Sequence, residues 1–167
     1  YELKWNKTDF SEPVLSLFIK ENLLYVGTGE VGEEMLDYDG WIYTFSGETQ
    51  TGAHDMDTEV HAIVLIDFSG DGKDEIVIGS DSTVKVYDTS YSELGEDGFL
   101  GDTGSFGALY VEDVDNDGKT EITVHSSSYS GGSYVYVFSH PGGENGEEDK
   151  GDDAGFLPGF ELIGIIG

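Results

Sequence analysis

One pattern limits this chain more than any other. A segment of acids, glycines and short apolar runs is written twice at fixed spacing: VLIDFSGDGKDEIVIGSDSTVKVYD at 64–88 and LYVEDVDNDGKTEITVHSSSYSGGSYVYVFS at 109–139. Asp67 aligns with Asp113 and Ile76 with Ile122, at one offset for both (113 − 67 = 122 − 76 = 46). A degraded copy, VLSLFIKENLLYVGTGEVGEEMLDYDGWIYTFS, precedes them at 14–46. A period of this size with three or four short strands per copy points to propeller blades or a similar array, because one such unit cannot bury its apolar faces alone.

The apolar residues follow strand rather than helix spacing. Strands are expected at 14–19, 23–27, 41–45, 60–66, 75–80, 83–88, 108–113, 121–125 and 133–139, each rich in Val, Ile, Tyr or Phe and bounded by turn residues. No window carries a helical apolar stripe. The expected fold class is therefore all-β, with propeller-type blades in three recognisable copies over 1–140 and an incomplete ring. Residues 141–155, PGGENGEEDKGDDAG, have no apolar periodicity and are expected to form a disordered, self-repelling acidic linker. Residues 156–167, FLPGFELIGIIG, turn apolar again but fall well short of the ~20 residues of a membrane span.

Two loops carry the chemistry. Asp67-Phe68-Ser69-Gly70-Asp71-Gly72-Lys73-Asp74-Glu75 and Asp113-Val114-Asp115-Asn116-Asp117-Gly118-Lys119-Thr120-Glu121 share the pattern D-x-[DS]-x-D-G-x-x-E. In a tight loop, positions 1, 3 and 5 converge and Gly at position 6 permits the sharp turn. The carbonyl of position 7 faces inward, and the carboxylate at position 9 closes the shell. Oxygen-only coordination suits Ca²⁺ better than softer metals. The flanking strands and the acid at position 9 exclude an EF-hand, which needs helices and a Glu at position 12. The first copy has only Lys20-Glu21-Asn22 at the equivalent place, a short turn without a site.

The loops, each followed by EIVIGS or EITVHS and then an aromatic strand, resemble FG-GAP repeats of the VCBS type, which build the calcium-binding β-propeller of integrin α subunits and many microbial surface proteins. The resemblance covers roughly 1–140. It implies two Ca²⁺ sites, with ligands Asp67, Ser69, Asp71 and Glu75, and Asp113, Asp115, Asp117 and Glu121; Lys73 and Lys119 would add backbone oxygens. It also casts 1–5 and 45–49 as segments between blades. Such propellers usually have about seven blades, so three copies imply missing blades or assembly. Residues 157–161, Leu-Pro-Gly-Phe-Glu, resemble the start of an archaeal PGF-type C-terminal sorting signal. That likeness implies an archaeal cell-surface location and lipid anchoring.

Charge narrows the function further. Thirty-five acidic residues against seven cations, all Lys, give a net charge of −28. Nucleic acid would be repelled, and the absence of Cys excludes disulfides and thiolate chemistry. Gly27-Thr28-Gly29-Glu30-Val31-Gly32 matches a dinucleotide fingerprint, but acids rather than a helix start follow it. Two further acidic clusters, one of His54, Asp55, Asp57, Glu59 and His61 and one of Glu33, Glu34, Asp37 and Asp39, read as solvated loops before they read as metal sites. Asn6-Lys7-Thr8 is a glycosylation acceptor pattern. The expected function is a calcium-binding cell-surface module for adhesion or protein interaction, with protein or glycan ligands and no catalysis. The alternatives are a structural subunit of an archaeal surface layer or filament, and an accessory domain of a larger extracellular enzyme. Residues 1–10 are expected to pair with an open edge at 133–139, within one chain if the ring closes or, the favoured alternative with only three copies present, between neighbouring chains.

Overall fold

The computed structural model describes residues 4–29, 39–80, 83–98, 104–128, 133–139 and 161–166. Among them are twelve strands and no helix. The first sheet holds β1 (Val14–Lys20), β2 (Leu23–Thr28), β3 (Trp41–Ser46) and β4 (Thr49–Asp55). The second holds β5 (Ala62–Ile66), β6 (Glu75–Gly79), β7 (Thr83–Tyr87) and β8 (Glu93–Gly98). The third holds β9 (Gly104–Glu112), β10 (Glu121–Ser128), β11 (Ser133–Ser139) and β12 (Glu161–Ile166). Each sheet is an antiparallel meander in chain order, as in a propeller blade, and three such blades do not close a ring.

All nine expected strands are present. The registers of the three sheets superpose: Ile19 pairs with Leu24, Leu65 with Ile76 and Val111 with Ile122. One strand further, Leu24 pairs with Phe45, Ile76 with Tyr87 and Ile122 with Phe138. The blades differ at the connection between their first two strands. In the first, the chain crosses from Lys20 to Leu23 through Glu21 and Asn22, whose φ values of 51° and 68° match a primed two-residue hairpin turn.

Strand alternation sends apolar side chains to both faces of the second sheet, and each face meets a neighbour. Ile63, Leu65, Ile76, Ile78 and Tyr87 pack with Tyr25 and Ile42 of the first sheet. Val77, Val84 and Val86 pack with Ile122, Val124, Tyr136 and Phe138 of the third. This two-sided burial explains why β6, EIVIG, is apolar without a break after Glu75 and is buried throughout. The segment between β4 and β5 is stitched to the first sheet. Val60 N–H donates to Thr28 O (3.0 Å), and Ser16 Oγ donates to Val60 O (2.7 Å). Lys20 crosses from the first blade to the second, where its ammonium meets Asp74 and the Leu65 carbonyl.

Three expectations about the ends and connections are corrected. Residues 45–49 are not a segment between blades: they form the β3–β4 hairpin, with Gly47 at φ 59°. Trp5 belongs to no strand. It rests on Phe45 (6.3 Å between centroids), and Phe10 rests on both Tyr43 (5.2 Å) and Phe45 (6.1 Å). At Trp5 and Phe10, apolar contact with a sheet face thus stands in place of the expected edge pairing, while residues 1–3 lie outside the described residues. The flank of β11 is already filled, because Val135 to Ser139 pair with Ile166 to Glu161. Residues 161–166 therefore extend the third sheet as its outer strand, while 141–155 lie outside the described residues.

Candidate metal centres

Each acidic loop joins the first two strands of its blade, β5 to β6 and β9 to β10. Its form follows from residues at fixed positions. Gly70 and Asn116, both at position 4, have φ of 76° and 62°; Gly72 and Gly118, both at position 6, have φ of 87°. These left-handed conformations suit Gly and Asn and few other residues. Position 6 was legible in the sequence as a turn glycine. Position 4 was not singled out, although Gly and Asn share the same backbone tolerance.

Position 1 then folds over the turn. Asp67 Oδ2 accepts the Gly72 N–H at 2.9 Å, and Asp113 Oδ2 accepts the Gly118 N–H at 3.0 Å. Position 9 ties the loop to the strand below. Glu75 Oε2 accepts the N–H groups of Phe68 (2.8 Å) and Ser69 (2.9 Å), and its Oε1 accepts Ser69 Oγ–H at 3.2 Å. Glu121 Oε2 accepts the Val114 N–H at 2.8 Å. Both glutamates are buried, Glu121 at 1% exposure. A carboxylate this deep needs charge compensation as well as hydrogen bonds.

The carboxylates converge. Oxygens of Asp67, Asp71 and Glu75 lie within 4.8 Å of one another, as do those of Asp113, Asp115 and Asp117. Glu121 is not a member of the second group. Two unit charges at ~4 Å repel by about 1 kcal/mol in water and about 4 kcal/mol near a protein surface, so each trio favours a cation at its centre. The fit is sharpest at Asp67, whose Oδ1 is buried and accepts no hydrogen bond. A cation bound by Asp67, Asp71 and Glu75 would satisfy that oxygen. All donors are hard oxygens, which fit Ca²⁺.

The loop lysines stand outside the trios. Lys73 N–H donates to Asp71 Oδ1 at 2.8 Å, and its ammonium lies 3.1 Å from Asp71 Oδ2. The backbone bond first, and then the ammonium, hold the Asp71 carboxyl below its ordinary 3.8. Lys119 N–H donates to Asp117 Oδ1 at 2.8 Å, with its ammonium 3.9 Å from Oδ2. Both aspartates are therefore oriented by the backbone before any ion arrives.

The weaker candidates disperse. His61 Nε2 lies 2.9 Å from Glu59 Oε2, whereas His54 stacks on Tyr91 at 3.6 Å between ring centroids. Among the described residues, the His54–His61 group does not converge on one point. Glu33, Glu34 and Asp37 lie outside the described residues, and so does the second half of the glycine-rich fingerprint, from Glu30 on. Asn6 is exposed.

Residues 67–124, about a third of the chain, match the family model described as FG-GAP-like repeat. The match spans both loops and the whole second blade from its first loop onward. No curated protein and no solved structure matches the chain. Fold and repeat together define the class: propeller-like β-blades carrying an FG-GAP-like repeat, a kind of repeat typical of extracellular proteins. None of the described helices is long and apolar enough to cross a membrane, there being no helix.

Proposed function

We propose that this chain is a calcium-binding, propeller-type module that works outside the cell in adhesion or protein interaction. The observation that carries this reading is the paired convergence of acids, Asp67, Asp71 and Glu75 in one loop and Asp113, Asp115 and Asp117 in the next, at the same place in successive blades. Calcium would offset most of the charge of each trio and fix the loop between the first two strands of its blade. The ion is structural in this proposal, and catalysis has no part in it. The partner would be a protein or glycan on a facing surface, met by loops that leave no sequence motif. A sorting or lipid-anchoring role for 156–167, on an archaeal surface, would require 161–166 to exchange their pairing with β11 for the membrane.

The test is thermal unfolding in millimolar Ca²⁺ and in EDTA. An ion that binds only the folded state adds about 2.7 kcal/mol at a hundredfold excess over Kd, so the melting temperature should rise clearly. Each loop brings three carboxylates together, so the two should bind with comparable affinity. Asp71→Ala or Asp115→Ala should each remove part of the rise, and the two together most of it. Identical melting in calcium and in EDTA would refute the proposal.

A further inference from the structure

Of the four asparagines in the sequence, Asn6 alone begins an N-x-[ST] triplet, Asn6-Lys7-Thr8, and the residue between is not Pro. Two of the others hold their places through the backbone. Asn22 in the β1–β2 turn and Asn116 at position 4 of the second acidic loop have φ of 68° and 62°, a left-handed conformation that Asn tolerates better than most residues. Asn145 lies outside the described residues. Asn6 has no comparable reason to be Asn: it is exposed, belongs to no strand and is not left-handed. Among the described residues, neither its carboxamide nor the Thr8 hydroxyl has a hydrogen-bond partner.

The chain on either side presents the triplet. The rings of Trp5 and Phe10 rest on Phe45, at 6.3 and 6.1 Å between centroids, and Phe10 also meets Tyr43 at 5.2 Å. These two anchors are half-buried, and the residues between them, Asn6 to Asp9, are all exposed. The two charges of this span answer each other, Lys7 Nζ lying 2.8 Å from Asp9 Oδ1, so that neither ties it to the sheet. An enzyme that reads an acceptor triplet needs accessible chain, and this span can be engaged without breaking a strand pairing. We propose that Asn6 is a modification site and carries an N-linked glycan, a bulky, solubilising group suited to such a surface. The donor class is an oligosaccharide carried on a polyprenyl phosphate. Asn6 Nδ2 attacks the anomeric carbon of the sugar; the C–N bond forms as the C–O bond to the carrier phosphate breaks. The electron pair leaves on the phosphate oxygen, and one Nδ2 proton passes to a base of the transferase. Such a transferase acts on exported chains, so the inference rests on the extracellular part of the proposed function and not on its calcium part.

The experiment is export of the full chain from a eukaryotic host whose secretory pathway N-glycosylates, followed by intact mass spectrometry before and after treatment with a peptide-N-glycosidase. The exported chain should weigh more than its sequence by one glycan, and the enzyme should remove the excess and leave a carboxylate where the Asn6 carboxamide stood. Asn6→Gln and Thr8→Ala should each abolish the excess, and Thr8→Ser should keep it because the hydroxyl remains. All three sites of change are exposed and lie on the blade without an acidic loop, so each variant should melt like the deglycosylated parent and keep its response to calcium. The host supplies the export, so a product of unmodified mass counts against Asn6 alone, and a missing calcium response counts against the loops alone. An exported chain of unmodified mass, or an excess that survives Asn6→Gln, would overturn the proposal.

Discussion

Tyr91 sits in the turn after β7 with φ of 64°, its ring stacked on His54 of the neighbouring blade. Burial pushes its phenol up to about 12 from an ordinary 10.0. Burial also raises Tyr87, helped by the charges of Glu93, Glu96 and Asp57. Both groups hold their protons longer in the folded chain than in the unfolded one. Their contribution to stability is therefore complete below pH 10.0; that of Tyr91 is lost as pH rises through about 12, and that of Tyr87 at higher pH still. Unfolding monitored by circular dichroism and phenolate absorbance should show two tyrosines ionising together with the loss of structure, and Tyr91→Phe should lessen the alkaline loss. Titration of every tyrosine near its ordinary value in the folded state would contradict this. The acids of the two loops were legible at this scale because their spacing is local. The orphaned Oδ1 of Asp67 was not, since burial of one oxygen depends on the packing around it.

The strands that escaped the sequence are β4, β8 and β12, and all three are the outermost of their sheets. An outer strand pairs on one side only and buries little, so its sequence need not alternate. β4, TQTGAHD, is exposed or half-exposed along its length, and β8, ELGEDG, reads as an acidic turn. The inner strands, and β1, β5 and β9 at the opposite edges, were legible because their sequences carry alternating or continuous apolar residues. β12 was hidden for a further reason: it pairs with β11 across an acidic stretch of more than twenty residues, and no local pattern reveals a pairing so distant. Removing 156–167 should free the outer flank of β11 and raise hydrogen exchange over 133–139, while β5 to β8 keep their protection. Unchanged protection over 133–139 would show that β12 contributes nothing to this edge.

For the whole molecule, charge is the dominant long-range term. Five of the seven lysines lie against acids, in pairs such as Lys20 with Asp74 and Lys85 with Glu96, and seven cations cannot offset 35 carboxylates. Screening should therefore relieve more repulsion than it weakens attraction. The melting temperature should rise from low to molar NaCl even with calcium saturating, and a fall would count against this reading. The repeat, the strand alternation and the loop acids were determined by the sequence itself, because period, burial pattern and metal-ligand spacing are properties of neighbours along the chain. The tertiary structure alone decided where the strands stop mattering to one blade and begin to matter to the next. It placed Trp5 and Phe10 on a sheet face rather than at an edge, gave β11 its partner from the far end of the chain, buried one oxygen of Asp67, and left Leu17 and Ile19 bare where Ile63 and Leu65 are covered. Each of these depends on which surfaces meet in space, and the same apolar residue at the same strand position is core or surface according to whether a neighbouring blade lies against it.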